Sequence, residues 1–165
     1  MTPAKERALE IVRSALDDTG LDWREEAADR FTVDLPGERK QRTVTTVKVG
    51  EHSLQANAFV VRHPDENHAG VHRWLLERNA RLPGIAFTID PVGDVYLIGR
   101  LPLAAVTGDE VDALLGAVLE AADSSFNTLL ELGFSSAIRT EWAWRLSRGE
   151  STANLAAFEH LRPAD

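Results

Sequence analysis

The strongest constraint on the fold is a series of short alternating segments joined by connections too brief for a crossover. Phe31, Val33 and Leu35 alternate with Thr32 and Asp34, which is strand spacing with one buried face. Arg42 to Val49, rich in Val and Thr, reads as a second strand. Leu54, Ala56, Ala58 and Val60 alternate with Gln55 and Asn57 as a third, whose end Phe59 and Val61 make apolar on both faces. Leu35-Pro36-Gly37-Glu38 fits a type II turn, because Pro fixes the first central φ and Gly accepts a positive second one. Gly50-Glu51-His52 turns the next connection. Parallel neighbours need about a dozen residues of crossover, so these strands are antiparallel. Gly84 to Ile89 and Asp94 to Leu101 make a further pair around Asp90-Pro91-Val92-Gly93, where Asp90 and Asp94 read as solvated turn residues.

Helical patterns surround these strands. Thr2 and Pro3 suit an N-cap and first helical residue, Ala4, Ala8, Ile11, Val12 and Ala15 form a stripe, and Gly20 closes the helix. Val71, Trp74, Leu75 and Leu82 align on a second helical face. Thr107 with Glu110 fits a capping box, and Val106 with Val111 the hydrophobic staple around it. The helix they start carries Val111, Leu114, Leu115, Val118, Leu119 and Ala122, and is expected to reach Gly133 or bend near Asp123-Ser124-Ser125. Ile138, Trp142 and Leu146 then share a face by their spacing of four, with Trp144 opposite, and Leu155 to Leu161 reads as a last short helix.

The order α-β-β-β-α-β-β-α plus a helical tail gives an α+β class: a mostly antiparallel five-stranded sheet with helices packed on it. Residues 1–134 are expected to form the α+β domain and residues 135–165 a helical extension packed on it.

This order and several motifs carry a family resemblance. Trp74-Leu75-Leu76-Glu77-Arg78-Asn79, Ile85-Ala86-Phe87-Thr88-Ile89-Asp90, Gly93-Asp94-Val95-Tyr96-Leu97 and Leu101-Pro102 look like the YbjN-type family, as does the helix with Asp112, Leu115, Val118, Leu119 and Asp123. That family is described as bacterial sensory-transduction regulators, and its fold is similar to type III secretion chaperones. The resemblance covers about Pro3 to Gly133, while Ile138-Arg139-Thr140-Glu141-Trp142-Ala143-Trp144-Arg145 looks like an extension of an actinobacterial branch. It implies the chaperone-like fold and a protein-binding role, as a regulator or chaperone-like adaptor, with a homodimer among the implied assemblies. The matching residues are structural, and the family supplies no catalytic set to carry over.

Composition narrows the activities. The absence of cysteine removes disulfides, thiolate nucleophiles and Cys-based zinc sites. A net charge of −8 argues against nucleic acid and anionic lipid as partners. The basic stretch Glu38-Arg39-Lys40-Gln41-Arg42 reads as a solvated hairpin tip. No apolar run is long enough to span a bilayer, and the charged amphipathic start lacks a signal peptide's apolar centre, so a cytoplasmic protein is expected.

The segment H-P-D-E-N-H-A-G-V-H, His63 to His72, packs three histidines, two carboxylates and an asparagine into ten residues. Asp65, His68 and His72 fall at i, i+3 and i+7, and two histidines at i and i+4 are a recurrent metal-ligand spacing. Each residue also has a structural reading: His63-Pro64 ends a strand, and Asp65 or Asn67 caps the helix that follows. The sequence nominates no fourth ligand, and the structural reading is adopted, with no metal, cofactor or catalytic residue assigned. Neither a dinucleotide nor a P-loop glycine pattern occurs, and Gly133-Phe134-Ser135-Ser136-Ala137 lacks a nucleophile elbow's second glycine; Ser135 or Ser136 reads as a cap of the tail helix.

The expected function is therefore non-enzymatic protein binding, with candidate interaction residues Phe59, Val61, Trp142, Trp144 and Arg145. Trp and Arg are enriched at interface hot spots. The alternatives are a metal-binding protein or enzyme centred on Asp65, His68 and His72, and a small-ligand-sensing domain with an apolar pocket.

Overall fold

A computed structural model describes residues 1–164 of the chain. Its elements are α1 (Pro3–Thr19), β1 (Trp23–Ala27), β2 (Arg30–Pro36), β3 (Arg42–Val49), β4 (Ser53–Val61), α2 (His68–Asn79), β5 (Ile85–Ile89), β6 (Val95–Pro102) and α3 (Gly108–Arg148), followed by a 3-10 segment, Ala153–Leu161. The strands form one sheet of order β1-β2-β3-β4-β6-β5, antiparallel at every pairing. The α+β class and the antiparallel sheet agree with the sequence reading.

The sheet has six strands rather than five. The additional one, β1, reads Trp-Arg-Glu-Glu-Ala and lies at the edge, where only Trp23 is drawn partly into the core. An edge strand covered by charge shows no apolar alternation, which is also how edges avoid pairing with other chains. Register places Phe31, Val47, Ala56 and Gly99 on one face across four strands, and α1, α2 and α3 cover that face. The opposite face carries no helix among the described residues and is polar along Arg30, Lys48, Gln55 and Arg100.

Local signals govern several element ends. The Thr2 hydroxyl accepts from the Lys5 amide at 3.3 Å, and Gly20 closes α1 in the left-handed region. The Thr107 hydroxyl accepts from the Glu110 amide at 3.1 Å, and Val106 and Val111 are buried beside it. Asp90 accepts from the amides of Val92 and Asp94 at 3.1 and 2.9 Å, which fixes the β5–β6 turn.

The expected type II turn after β2 does not form. Gly37 is not among the positive-φ residues, and its amide instead donates to the Gln41 carbonyl at 3.2 Å, closing a longer tip. Glycine is required there for space: a Cβ would lie 2.4 Å from the Lys40 carbonyl oxygen and 2.5 Å from Asp123 Oδ1. Asp123, on α3, accepts from the amides of Arg39 and Lys40 at 2.9 and 3.0 Å and so fastens the tip to the helix.

The long helix also differs from expectation. α3 runs past both Asp123 and Gly133 to Arg148, with one non-helical residue, Phe134 (φ −140°, ψ 22°). Before that kink its apolar residues join the main core. Beyond it Ile138 and Trp142 form a separate cluster with Leu155, Phe158 and Leu161, and Leu130 touches both clusters.

Candidate protein-interaction surface

The histidine-rich segment is the wedge that seats the kink of α3. Pro64 is buried against Gly133, and the Asp65 and Glu66 amides both donate to the Gly133 carbonyl, at 3.0 and 3.2 Å. The Asn67 side chain donates to the Leu132 carbonyl at 3.1 Å. The Glu66 carboxylate accepts from the Ser136 amide at 2.7 Å and the Ser136 hydroxyl at 2.9 Å. The helix after the kink is thus capped from a distant loop, because a break exposes N–H groups that need an acceptor. These two bonds hold the Glu66 carboxyl below its ordinary value, the amide contributing most.

Several sequence expectations for this segment are corrected. α2 begins at His68, so Asp65 is not on the helix. Asn67 is left-handed (φ 53°) and makes no side-chain cap, being committed to α3, while Asp65 pairs with Arg62 at 2.7 Å. Ser136 does not cap by its own hydroxyl, and the Ser135 hydroxyl donates back to the Glu131 carbonyl. His68 Nε2 lies 2.7 Å from the Pro64 carbonyl oxygen, and His72 lies beside Leu75, Asn79 and Phe87. Asp65, His68 and His72 are therefore engaged separately, and among the described residues no three His, Asp or Glu side chains are grouped to hold a metal.

Glu66→Ala is expected to leave the sheet intact and to expose the Ser136 amide, seen as its faster hydrogen exchange. The same opening is expected in the wild type on acidification. A carboxyl whose folded pKa is depressed stabilises above its unfolded pKa, and that contribution is lost as pH falls through the lowered folded value.

By seating the kink, the wedge leaves an apolar groove of about 580 Å³ between the end of β4 and the far half of α3. Its helical wall is Phe126, Leu130, Phe134 and Ile138, one residue every four, with Leu155 and Phe158 of the 3-10 segment closing the end. The β4 wall is Phe59 to Arg62. Phe59 is 37 % exposed and meets Tyr96 edge-on. Val61 faces the groove although it is largely buried, because a register shift between Phe59 and Val61 puts Val60 and Val61 both inward.

Two cations overlie this aromatic lining. The Arg62 guanidinium sits 4.5 Å from the Phe134 ring centroid, and the Lys40 ammonium 5.3 Å from Phe126 and 5.7 Å from Phe59. Lys40 is thus not part of a solvated tip: it folds back over the groove, and burial is the main cause pushing its pKa down.

The tail candidates divide. Trp142 is 1 % exposed, and its indole N–H donates to the Phe158 carbonyl at 3.0 Å, so it is a buried anchor and not a surface residue. The last segment folds over Trp142, while Trp144 stays 47 % exposed with the Arg148 guanidinium 4.4 Å from its ring centroid. Arg145 binds the Glu141 carboxylate and donates to the Ser151 carbonyl at 2.8 Å. Phe126, Leu130 and Lys40 were not anticipated. The first two continue the spacing of Ile138 and Trp142 backwards, a signal obscured by ending the helix at Gly133.

Among the described residues no helix is long and apolar enough to cross a membrane. An uncharacterised protein of Mycobacterium tuberculosis is 52 % identical over 99 % of this chain and 92 % of its own length. One of Mycobacterium leprae is 52 % identical over 93 % and 86 %. The fold resembles secretion chaperones. A chain of the heterodimeric complex ExoU-SpcU, from the type III secretion system of Pseudomonas aeruginosa, aligns with a TM-score of 0.53 at 18 % identity, over 72 % of this chain and 96 % of that one. A chain of the ExsC-ExsE complex aligns with a TM-score of 0.55 at 20 % identity, over 78 % and 97 %. A third, from the Yersinia pestis type III secretion chaperone SycH in complex with a stable fragment of YscM2, gives 0.51 at 15 % identity, over 70 % and 96 %. Residues 8–131 match the family described as "Putative bacterial sensory transduction regulator", and the chain accordingly belongs to the YbjN family.

Proposed function

We propose that this protein is a non-enzymatic, cytoplasmic binding module, a regulator or chaperone-like adaptor that holds part of another protein in the groove beside β4. The observation that carries this reading is the groove itself, an open apolar channel with an exposed aromatic ring at its mouth and cations over its lining. A concave, mostly apolar cleft with a few polar groups at its edge is the usual form of a binding site. The fold relatives support the same reading, since their structures are of complexes between proteins. Trp144 with Arg145 and Arg148 is a second proposed contact, outside the groove.

Affinity capture from the native host tests it, comparing wild type with Phe59→Asp, Trp144→Ala and Leu76→Asp. Phe59→Asp puts a charge at the mouth of the groove, and Leu76 is exposed elsewhere. A specific partner is expected to fall by about tenfold or more with Phe59→Asp, less with Trp144→Ala, and to persist with Leu76→Asp. A partner set indifferent to Phe59→Asp removes the groove from the function.

A further inference from the structure

Pairing between β3 and β4 stops at Thr45–Ala58, although β2–β3 runs on to Pro36–Arg42 and β4–β6 to Val61–Val95. Among the described residues no strand pairs with the β3-facing edge of β4 from Phe59 to Val61, and this stretch is the sheet-side wall of the groove. An edge of unpaired N–H and C=O groups is a template for another strand. Side chains alternate along an added strand, so one set would meet the helical wall of Phe126, Leu130, Phe134 and Ile138.

The charges select the occupant further. Arg62 is matched by Asp65 and Glu141 by Arg145, whereas the Lys40 ammonium has no carboxylate partner among the described residues. Its position is built, because Asp123 holds the backbone amides of Arg39 and Lys40, an approach so close that Gly37 has no space for a side chain. We propose that the groove takes an extended apolar segment of a partner protein as a strand added to β4, with one carboxylate of that segment on the Lys40 ammonium. This rests on the protein-binding reading above. A fatty acid would match the cation and the apolar lining but would leave the β4 edge unpaired, whereas a peptide satisfies all three. A single carboxylate is specified because a strongly acidic segment would be repelled by the net charge of −8.

The test pans a displayed library of random twelve-residue peptides on the full chain and on Lys40→Met, which keeps the aliphatic stem. Peptides displaced from the groove by Phe59→Asp are expected to carry one Asp or Glu beside bulky apolar residues. Their affinity is expected to fall by ~10-fold on Lys40→Met, the effect of losing one charge-assisted hydrogen bond. Methylating their backbone nitrogens one at a time is expected to abolish binding at alternate positions only, the signature of a strand ladder. Groove-bound peptides with no acidic preference, or with uniform tolerance of methylation, overturn this inference and leave the protein-binding function standing. Stoichiometric binding of sodium dodecanoate with no peptide recovered gives the groove to a lipid and overturns both.

Discussion

Trp142→Ala is expected to release the C-terminal segment while the sheet and its helices stay folded. Trp142 is the largest side chain of the cluster it forms with Ile138, Leu155, Phe158 and Leu161, and that cluster meets the main core through Leu130. Truncating a buried aromatic costs about 3–5 kcal/mol, from lost transfer energy and the cavity left behind. It also leaves the Phe158 carbonyl without its donor, which adds about 1–3 kcal/mol for a buried polar group. Against this the segment holds only three buried apolar residues, each worth roughly 1.5–3 kcal/mol, less the entropy of ordering the chain. The loss is comparable to all that docks the segment. Limited proteolysis should therefore cut between Gly149 and Leu161 in the variant and not in the wild type, with the main unfolding transition little changed. A single transition moved to much lower temperature would instead show that residues 135–165 and the α+β domain fold as one unit. Because Leu155 and Phe158 close the groove, partner binding is expected to fall with the release.

What the sequence discloses about this fold divides by the range of the interaction. Strands β2 to β6 were legible because one face of each is buried and the spacing of two records it. The ends at Thr2, Gly20 and Thr107 were legible because capping is settled within four residues. Strand β1 was not, since an edge strand held by backbone bonds needs no apolar side chains. Gly37 looked like a turn glycine for its φ, and is one for the closeness of Asp123, a residue on another element. Half of the candidate surface was readable: Phe59 and Val61 announce an apolar strand end. The other half, Phe126, Leu130 and Lys40, depends on α3 continuing through Gly133, and that depends on a loop from far back in the chain. Glu66 caps a helix start that lies seventy residues later, a partner that no local pattern discloses.

Gly133→Val is expected to be the most damaging single substitution where α3 meets the wedge. Gly133 is buried with a negative φ, so conformational freedom is not what requires glycine. Space is: a Cβ would lie 2.8 Å from Pro64 Cβ and 3.3 Å from Val71 Cγ2. A proline ring cannot swing aside as a flexible side chain does, so the wedge must back out and the bonds from the Asp65 and Glu66 amides lengthen with it. Overpacking of this kind costs about 1–3 kcal/mol, and at roughly 2–4 °C per kcal/mol for a chain of this size the midpoint should fall by several degrees. A gain from helix propensity opposes it weakly, up to about 1 kcal/mol for alanine and less for valine. The cause can be isolated by moving the glycine across the contact. Gly133→Ala combined with Pro64→Gly removes the atom that the new Cβ meets, so the pair should be less destabilised than the sum of its parts, by a coupling of about 0.5–3 kcal/mol. Strict additivity would show that Gly133 and Pro64 do not restrain each other. With coupling present, the seating of α3 on the loop is set by one missing methyl group, and so is the width of the groove that Phe134 and Ile138 line.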